Sequence, residues 1–158
     1  MTSLPPAPSG CFDGQVHLFT VRAYFEDTDL SGVVYHANYL RWFERARSDL
    51  VRLLAMDQRA ANEAGEGAWA VSELTIHYRA PARLDDAVLI ETRAEELGAA
   101  TCRMHQRALL LADGAAGRLL AEARLRIGFV APDGRPRRQP AQWRAAFSTL
   151  LPPIKAHP

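Results

Sequence analysis

The run from Ala68 to Ala131 leaves this chain few folds to choose from. Apolar and polar residues alternate along it, and the breaks fall at turn-forming residues. The pattern is clearest at its end, where Leu119, Ala121, Ala123, Leu125, Ile127 and Phe129 stand against Glu122, Arg124 and Arg126. A period of two puts one set on a buried face and the other on a wet one. Leu74, Ile76 and Tyr78 alternate with Glu73, Thr75, His77 and Arg79 until Pro81 ends the run. Val88 and Ile90 continue it up to Gly98, and Cys102, Met104 and Ala108 oppose Arg103, His105 and Arg107. Sheets with one wet face are generally antiparallel. Asp85-Asp86 and Asp113-Gly114 read as hairpin turns.

Ahead of the strands lies a different period. Tyr39, Phe43, Ala46, Leu50 and Leu54 recur every three or four residues and predict one apolar helix face. Arg41, Arg45, Asp49 and Arg52 fall on the opposite, solvated or ligand-facing side. Val16, Leu18 and Thr20 form an earlier strand ending near Tyr24. After Ala131 a basic loop, Arg135 to Pro140, leads to a short amphipathic helix carrying Trp143, Ala146, Phe147 and Leu150. The expected class is α+β: an antiparallel sheet of about five strands wrapped around one long central helix. Residues 1–14, with Pro5, Pro6 and Pro8, read as a flexible tail. Residues 15–151 read as a single domain, and 152–158 as a C-terminal tail.

Composition narrows the function. The 158 residues carry 19 basic and 18 acidic side chains, a net charge of +1. No excess positive charge is available to follow a phosphate backbone, so nucleic acid is not an expected partner. No apolar stretch approaches the roughly 18 residues of a transmembrane segment, and the N-terminus lacks the pattern of a secretory signal. Cys11 and Cys102 make neither a disulfide framework nor a metal set, so a cytoplasmic protein is expected. The five histidines are scattered without ligand spacing, and no metal or cofactor is expected. All basic residues but Lys155 are Arg. That bias suits a phosphate-bearing ligand, and it equally suits the codon composition of the source genome.

Chemistry-bearing residues crowd into Tyr24–Leu40. Glu26, Asp27 and Asp29 lie within four positions, in a loop that turns at Gly32 and feeds the start of the helix. A helix start offers unpaired N–H groups and the positive end of the macrodipole, which can hold a developing oxyanion. A carboxylate beside a carbonyl held there could attack it or activate water. The same residues also have an ordinary structural use: Asp is common in turns and caps, and a lone His36 at a helix start suits packing or capping. Spacing alone leaves both readings of Asp29 and His36 open. No Gly-rich phosphate loop, G-x-S-x-G elbow or local Cys–His signature competes with this segment.

The stretch from Tyr24 to Arg47, Y-F-E-D-T-D-L-S-G-V-V-Y-H-A-N-Y-L-R-W-F-E-R-A-R, closely resembles the hotdog-fold acyl-CoA thioesterases. Within them it is most similar to the Tol-Pal-associated family of the 4-hydroxybenzoyl-CoA thioesterase group. Val71 to Asp86 resembles the strand and turn that follow the central helix in that family. The resemblance implies a thioester hydrolase, with Asp29 as nucleophile or general base. It places a backbone N–H at His36 against the thioester oxygen, and Gly32 at the turn between them. Tyr35 and Asn38 are implied as substrate-binding or helix-capping residues. A related branch puts its carboxylate on the helix, where Glu44 would stand, although neighbouring arginines suit Glu44 to ion pairing. Arg79, Arg83, Arg135, Arg137 and Arg138 could supply cations for the carrier's phosphates, and each equally suits a solvated loop. The implied partners are acyl-CoA, acyl carrier protein and further copies of the chain, as homodimer or homotetramer. A non-catalytic scaffold that binds acyl carriers is the competing expectation, and it would have no use for Asp29. A hotdog dehydratase would need a different His and acidic pair.

Overall fold

The computed structural model describes residues 1–154; the rest of the expected C-terminal tail, with Lys155 and His157, lies outside the described residues. Six strands form one antiparallel sheet: β1 (Cys11–Asp13), β2 (Val16–Arg22), β3 (Ala68–Tyr78), β4 (Ala87–Leu97), β5 (Thr101–Ala112) and β6 (Ala115–Val130). Their spatial order is β1-β2-β4-β5-β6-β3. The helices are α1 (Asn38–Leu53), α2 (Gln58–Glu63) and α3 (Ala141–Ser148). This is the hotdog arrangement of a sheet curled around helix α1.

Three expectations need correction. The sheet has six strands, not about five. The helical part is not one long helix: α1 has 16 residues, and α2 and α3 are short segments beyond it. Ala55, left-handed at φ 62°, turns the chain after α1, and the Met56 N–H closes back on the Val51 carbonyl at 3.0 Å. Third, Asp85-Asp86 is not a hairpin. β3 pairs with β6 while β4 lies between β2 and β5, so residues 79–86 cross from one edge of the sheet toward the other. Alternation reports which face a residue takes and is silent about which strand lies alongside. Asp113-Gly114 does close a hairpin, with both residues at positive φ.

The inner face of the sheet meets the apolar stripe of α1. Tyr39, Trp42, Phe43, Ala46 and Leu50 are buried against Val88, Ile90, Ala108, Ala121 and Leu125. At the far end α3 covers the sheet with Trp143 and Phe147, packed on Trp69 and Phe129. One polar group is built into this layer. Gln106, fully buried, donates to the Phe43 carbonyl (3.0 Å) and Thr92 Oγ1 (2.9 Å), and accepts from Arg47 (2.8 Å). Its amide is therefore satisfied at both ends.

The stretch read as a flexible tail contributes to the sheet. β1 pairs with β2, Cys11 opposite Leu18, and the Gly10 N–H donates to Asp49 Oδ2 at 2.9 Å. Only glycine fits there, since a Cβ would lie 2.2 Å from the Leu18 carbonyl oxygen. Asp49, expected on the solvated face of α1, is 5% exposed. It accepts from His17 Nε2 (2.7 Å) and pairs with Arg52 at 2.5 Å.

Candidate active site

Between β2 and α1 the chain makes two tight turns. A single 3-10 turn, Phe25–Asp27, comes first. Then the Asp29 carbonyl accepts from Gly32 N–H (3.0 Å) while the Asp29 N–H donates to the Val33 carbonyl (3.0 Å). Gly32 closes this turn at φ 81°, a left-handed conformation that side chains resist. Short bridges tie the loop down: Thr28 pairs with Val34, and Val33 with Arg83 of the crossover. The Val34 N–H donates to the Ala82 carbonyl at 2.8 Å.

The three neighbouring carboxylates have separate tasks. Asp27 is structural. Its carboxylate accepts from the Tyr24 N–H (2.8 Å), and its carbonyl accepts from the Tyr35 N–H (2.8 Å) and Asn38 Nδ2 (2.8 Å). Glu26 is exposed. Asp29 is exposed at the tip of the turn, and its carboxylate accepts from the Ser31 hydroxyl and, at 2.8 Å, the Ser31 N–H. Those two donors hold its pKa below the usual value, with a smaller electrostatic contribution from nearby His36. Asp29 is thus an ionised carboxylate in the working range of pH, next to His36 and free to meet a substrate.

The other half of the site is the start of α1. Asn38 and Tyr39 are buried there, while Tyr35 and His36 are exposed with their rings 4.5 Å apart. Neither the His36 N–H nor the Ala37 N–H has an acceptor among the described residues. No side chain caps this end, Ala37 being the N-cap, so the donors are left for a ligand. Beside them opens a cleft of about 330 Å³, lined by His36, Tyr39, Tyr78, Arg79 and Pro81 among others. The Asp29 carboxylate and these two N–H groups belong to one continuous stretch of chain, residues 29–37. That pairing of a carboxylate with an oxyanion site is the equipment of acyl transfer to water.

The profile of the Thioesterase superfamily matches residues 31–115, more than half of the chain. The chain belongs to the thioesterase superfamily. Asp29 stands two residues ahead of the matched span. Among its relatives, the Haemophilus influenzae protein named acyl-CoA thioesterase YbgC is 46% identical over 89 residues, which are 56% of this chain and 65% of that one. The Escherichia coli protein named acyl-CoA thioester hydrolase YbgC is 39% identical over 112 residues, 71% of this chain and 80% of that one. Among solved structures, a probable thioesterase from Bartonella henselae is 35% identical and superimposes with a TM-score of 0.67, covering 79% of this chain and 98% of that one.

In this thioesterase the expected residues Asp29, Gly32, Tyr35, His36 and Asn38 do fall in one place, on one loop and the helix it enters. Asn38 is there as a brace, its amide holding the Asp27 carbonyl. Glu44 is elsewhere. It lines a separate cleft of about 280 Å³ with Arg47 and Trp69. The five arginines separate as well. Arg79 lines the cleft beside His36, with Nη2 3.2 Å from Glu122, and Arg83 is exposed on the crossover. Arg137 is occupied at the opposite end of β3, donating to the carbonyls of Gly65 (3.1 Å) and Glu66 (2.6 Å). Arg135 pairs with Asp133, and Arg138 is exposed in the same loop. Sequence reasoning missed two members of the site. Ser31 looked like turn filler, although a hydroxyl two residues after an Asp in a turn is a signal for this contact. Tyr78 was read only as an alternating strand residue.

Proposed function

We propose that this chain hydrolyses acyl-CoA thioesters, with Asp29 as the catalytic carboxylate and the His36 and Ala37 N–H groups as the oxyanion site. The observation that carries it is the ionised, exposed Asp29 in the loop that enters α1, where the His36 and Ala37 N–H groups just ahead of the helix have no acceptor among the described residues. The thioester oxygen takes up the two N–H groups, which stabilise the negative charge that develops on it; one such donor contributes about 3–4 kcal/mol. Asp29 adds to the carbonyl carbon and expels the thiolate, leaving an anhydride for water to cleave, or it takes a proton from the water that adds. Both routes yield one carboxylic acid and one thiol, and neither draws on a cofactor. The finer placing in the Tol-Pal-associated branch rests on the Tyr24–Arg47 resemblance, and delivery of the acyl group on acyl carrier protein rests on the same ground.

A homo-oligomer completes this reading. β3 is an edge strand of 11 residues whose outer hydrogen-bonding side is free in the single chain, and such edges call for a partner. Two copies joined edge to edge about a two-fold axis would run their β3 strands antiparallel. The Arg135–Arg138 loop of one copy, roughly 30 Å from its own Tyr78 along β3, would then approach the partner's site. Its exposed Arg138 would supply a cation for CoA phosphates.

Two measurements test the proposal. Purified protein incubated with acyl-CoAs from short aliphatic to long-chain and aromatic should release free thiol from at least one class. Absence of thiol release across the panel, and from acyl carrier protein thioesters, would remove the enzymatic reading in favour of a binding scaffold. Sedimentation should give a mass two or four times the chain's 17.5 kDa, and a monomer at micromolar concentration would refute the shared site.

A further inference from the structure

We propose that Tyr78 is a positioning residue of this site, whose hydroxyl clamps the His36 carbonyl and so keeps the Ala37 N–H turned outward toward the thioester oxygen. The inference rests on the catalytic reading of Asp29 and the α1 start. Two consecutive peptide groups form the entry to α1, and each presents one free N–H. In the Tyr35–His36 peptide the carbonyl accepts from the Asn38 N–H at 2.9 Å. In the His36–Ala37 peptide it accepts from Tyr78 Oη at 2.8 Å. No peptide bond among the described residues is cis, so each N–H points away from the carbonyl of its own peptide group. Fixing the two carbonyls therefore aims the two N–H groups.

The first of these bonds is a local turn contact. The second is not. In a regular α-helix the His36 carbonyl would accept from the Leu40 N–H, but that N–H goes to the Ala37 carbonyl at 3.1 Å. Tyr78, at the end of β3 and 42 residues away in sequence, is the one partner of the His36 carbonyl among the described residues. Its ring is set by edge contacts with Tyr39 (5.7 Å between centroids) and His36 (6.0 Å). A hydrogen bond to a peptide carbonyl also polarises the group and strengthens its N–H as a donor. Burial raises the Tyr78 pKa, so the hydroxyl keeps its proton in alkaline solution.

Tyr78→Phe removes the hydroxyl and leaves the ring contacts. With an acyl-CoA that the wild type hydrolyses, kcat should fall about tenfold while KM stays within twofold, and the melting temperature should stay within about 2 °C. The acid limb of the pH profile, which belongs to Asp29, should not move. In a backbone NMR spectrum the Ala37 amide should shift, with changes concentrated at residues 35–38. Assayed in parallel, Asp29→Asn separates the two ideas. Loss of activity in that variant with unaltered kcat in Tyr78→Phe overturns the clamp alone, whereas full activity in Asp29→Asn overturns the catalytic reading beneath it. A Tyr78→Phe protein whose kcat and KM change together with a fall in melting temperature of 5 °C or more marks Tyr78 as structural. An unmoved Ala37 amide refutes the clamp whatever the kinetics show.

Discussion

Asp29→Asn should lower kcat for acyl-CoA hydrolysis by 100-fold or more, a loss of roughly 3 kcal/mol of transition-state stabilisation. Asparagine has the shape of aspartate and can still accept from the Ser31 N–H, so the turn at Gly32 should survive. The side chain is exposed at the tip of its loop, and the melting temperature should match that of the wild type. What is lost is the negative charge that either adds to the carbonyl carbon or removes a proton from water. Substrate contacts made by the cleft are untouched, so KM should change far less than kcat. The pH profile gives a second test. The two Ser31 donors, with His36 nearby, stabilise the charged form of Asp29 and depress its pKa. Activity that needs the carboxylate should therefore persist below the ordinary carboxylate range and fall only as that lowered pKa is crossed. Ser31→Ala removes the hydroxyl donor and should move the acid limb toward higher pH. An Asp29→Asn enzyme within threefold of the wild type would exclude the carboxylate from the reaction and turn attention to Glu44.

The proposed catalytic half of the candidate site is open to reading in the sequence because it is local. Asp29, Gly32 and His36 lie within eight residues on one loop and the helix it enters, so a contiguous stretch carries most of the geometry. The α1 stripe was legible for the same reason: Tyr39, Phe43, Ala46 and Leu50 are all buried. What escaped depends on contacts distant in sequence. Tyr78 meets His36 only because β3 pairs with β6 at the sheet edge, and alternation gives a strand's faces without naming its neighbour. Cys11–Asp13 is too short for a period to show, and its place is set by Asp49 reaching back across 39 positions to Gly10. Asp49 itself falls by helical period among Arg41, Arg45 and Arg52, on the side expected to be solvated or ligand-facing. It does pair with Arg52, while lying beneath a segment that sequence alone left unattached.

That buried carboxylate should be the most costly surface-charge misreading to test by mutation. Asp49→Ala should destabilise the fold by about 3 kcal/mol at pH 7, as expected when one member of a buried polar pair is deleted. For a chain of this size the melting temperature should fall by roughly 6–12 °C. The loss is large because the remaining groups have nowhere to turn. His17 is fully buried and its Nδ1 already has no hydrogen-bond partner among the described residues; without Asp49 the imidazole would have none at all. The Gly10 N–H would lose its acceptor. Acid should expose the same network in the wild type. Burial, acting against the Asp49 carboxylate, holds the His17 pKa below its usual value, so the folded ring is neutral near pH 7. Below about pH 6.5 the unfolded chain takes up a proton that the folded one refuses, and stability declines until the folded pKa is reached. Asp49 acts at lower pH. Burial alone would raise its pKa, but hydrogen bonds from His17, Gly10 and Arg52 together bring it below the usual value. Its contribution is present above about pH 3.8 and disappears as the pH falls through the folded pKa. Removing the carboxylate takes away the charge that favours the protonated ring, so Asp49→Ala should extend the His17 decline to lower pH. Thermal melts of both proteins between pH 4 and 8, with hydrogen exchange at Gly10, would decide the point. A variant that melts with the wild type and keeps Gly10 protected would mean that β1 is held by its pairing with β2 alone.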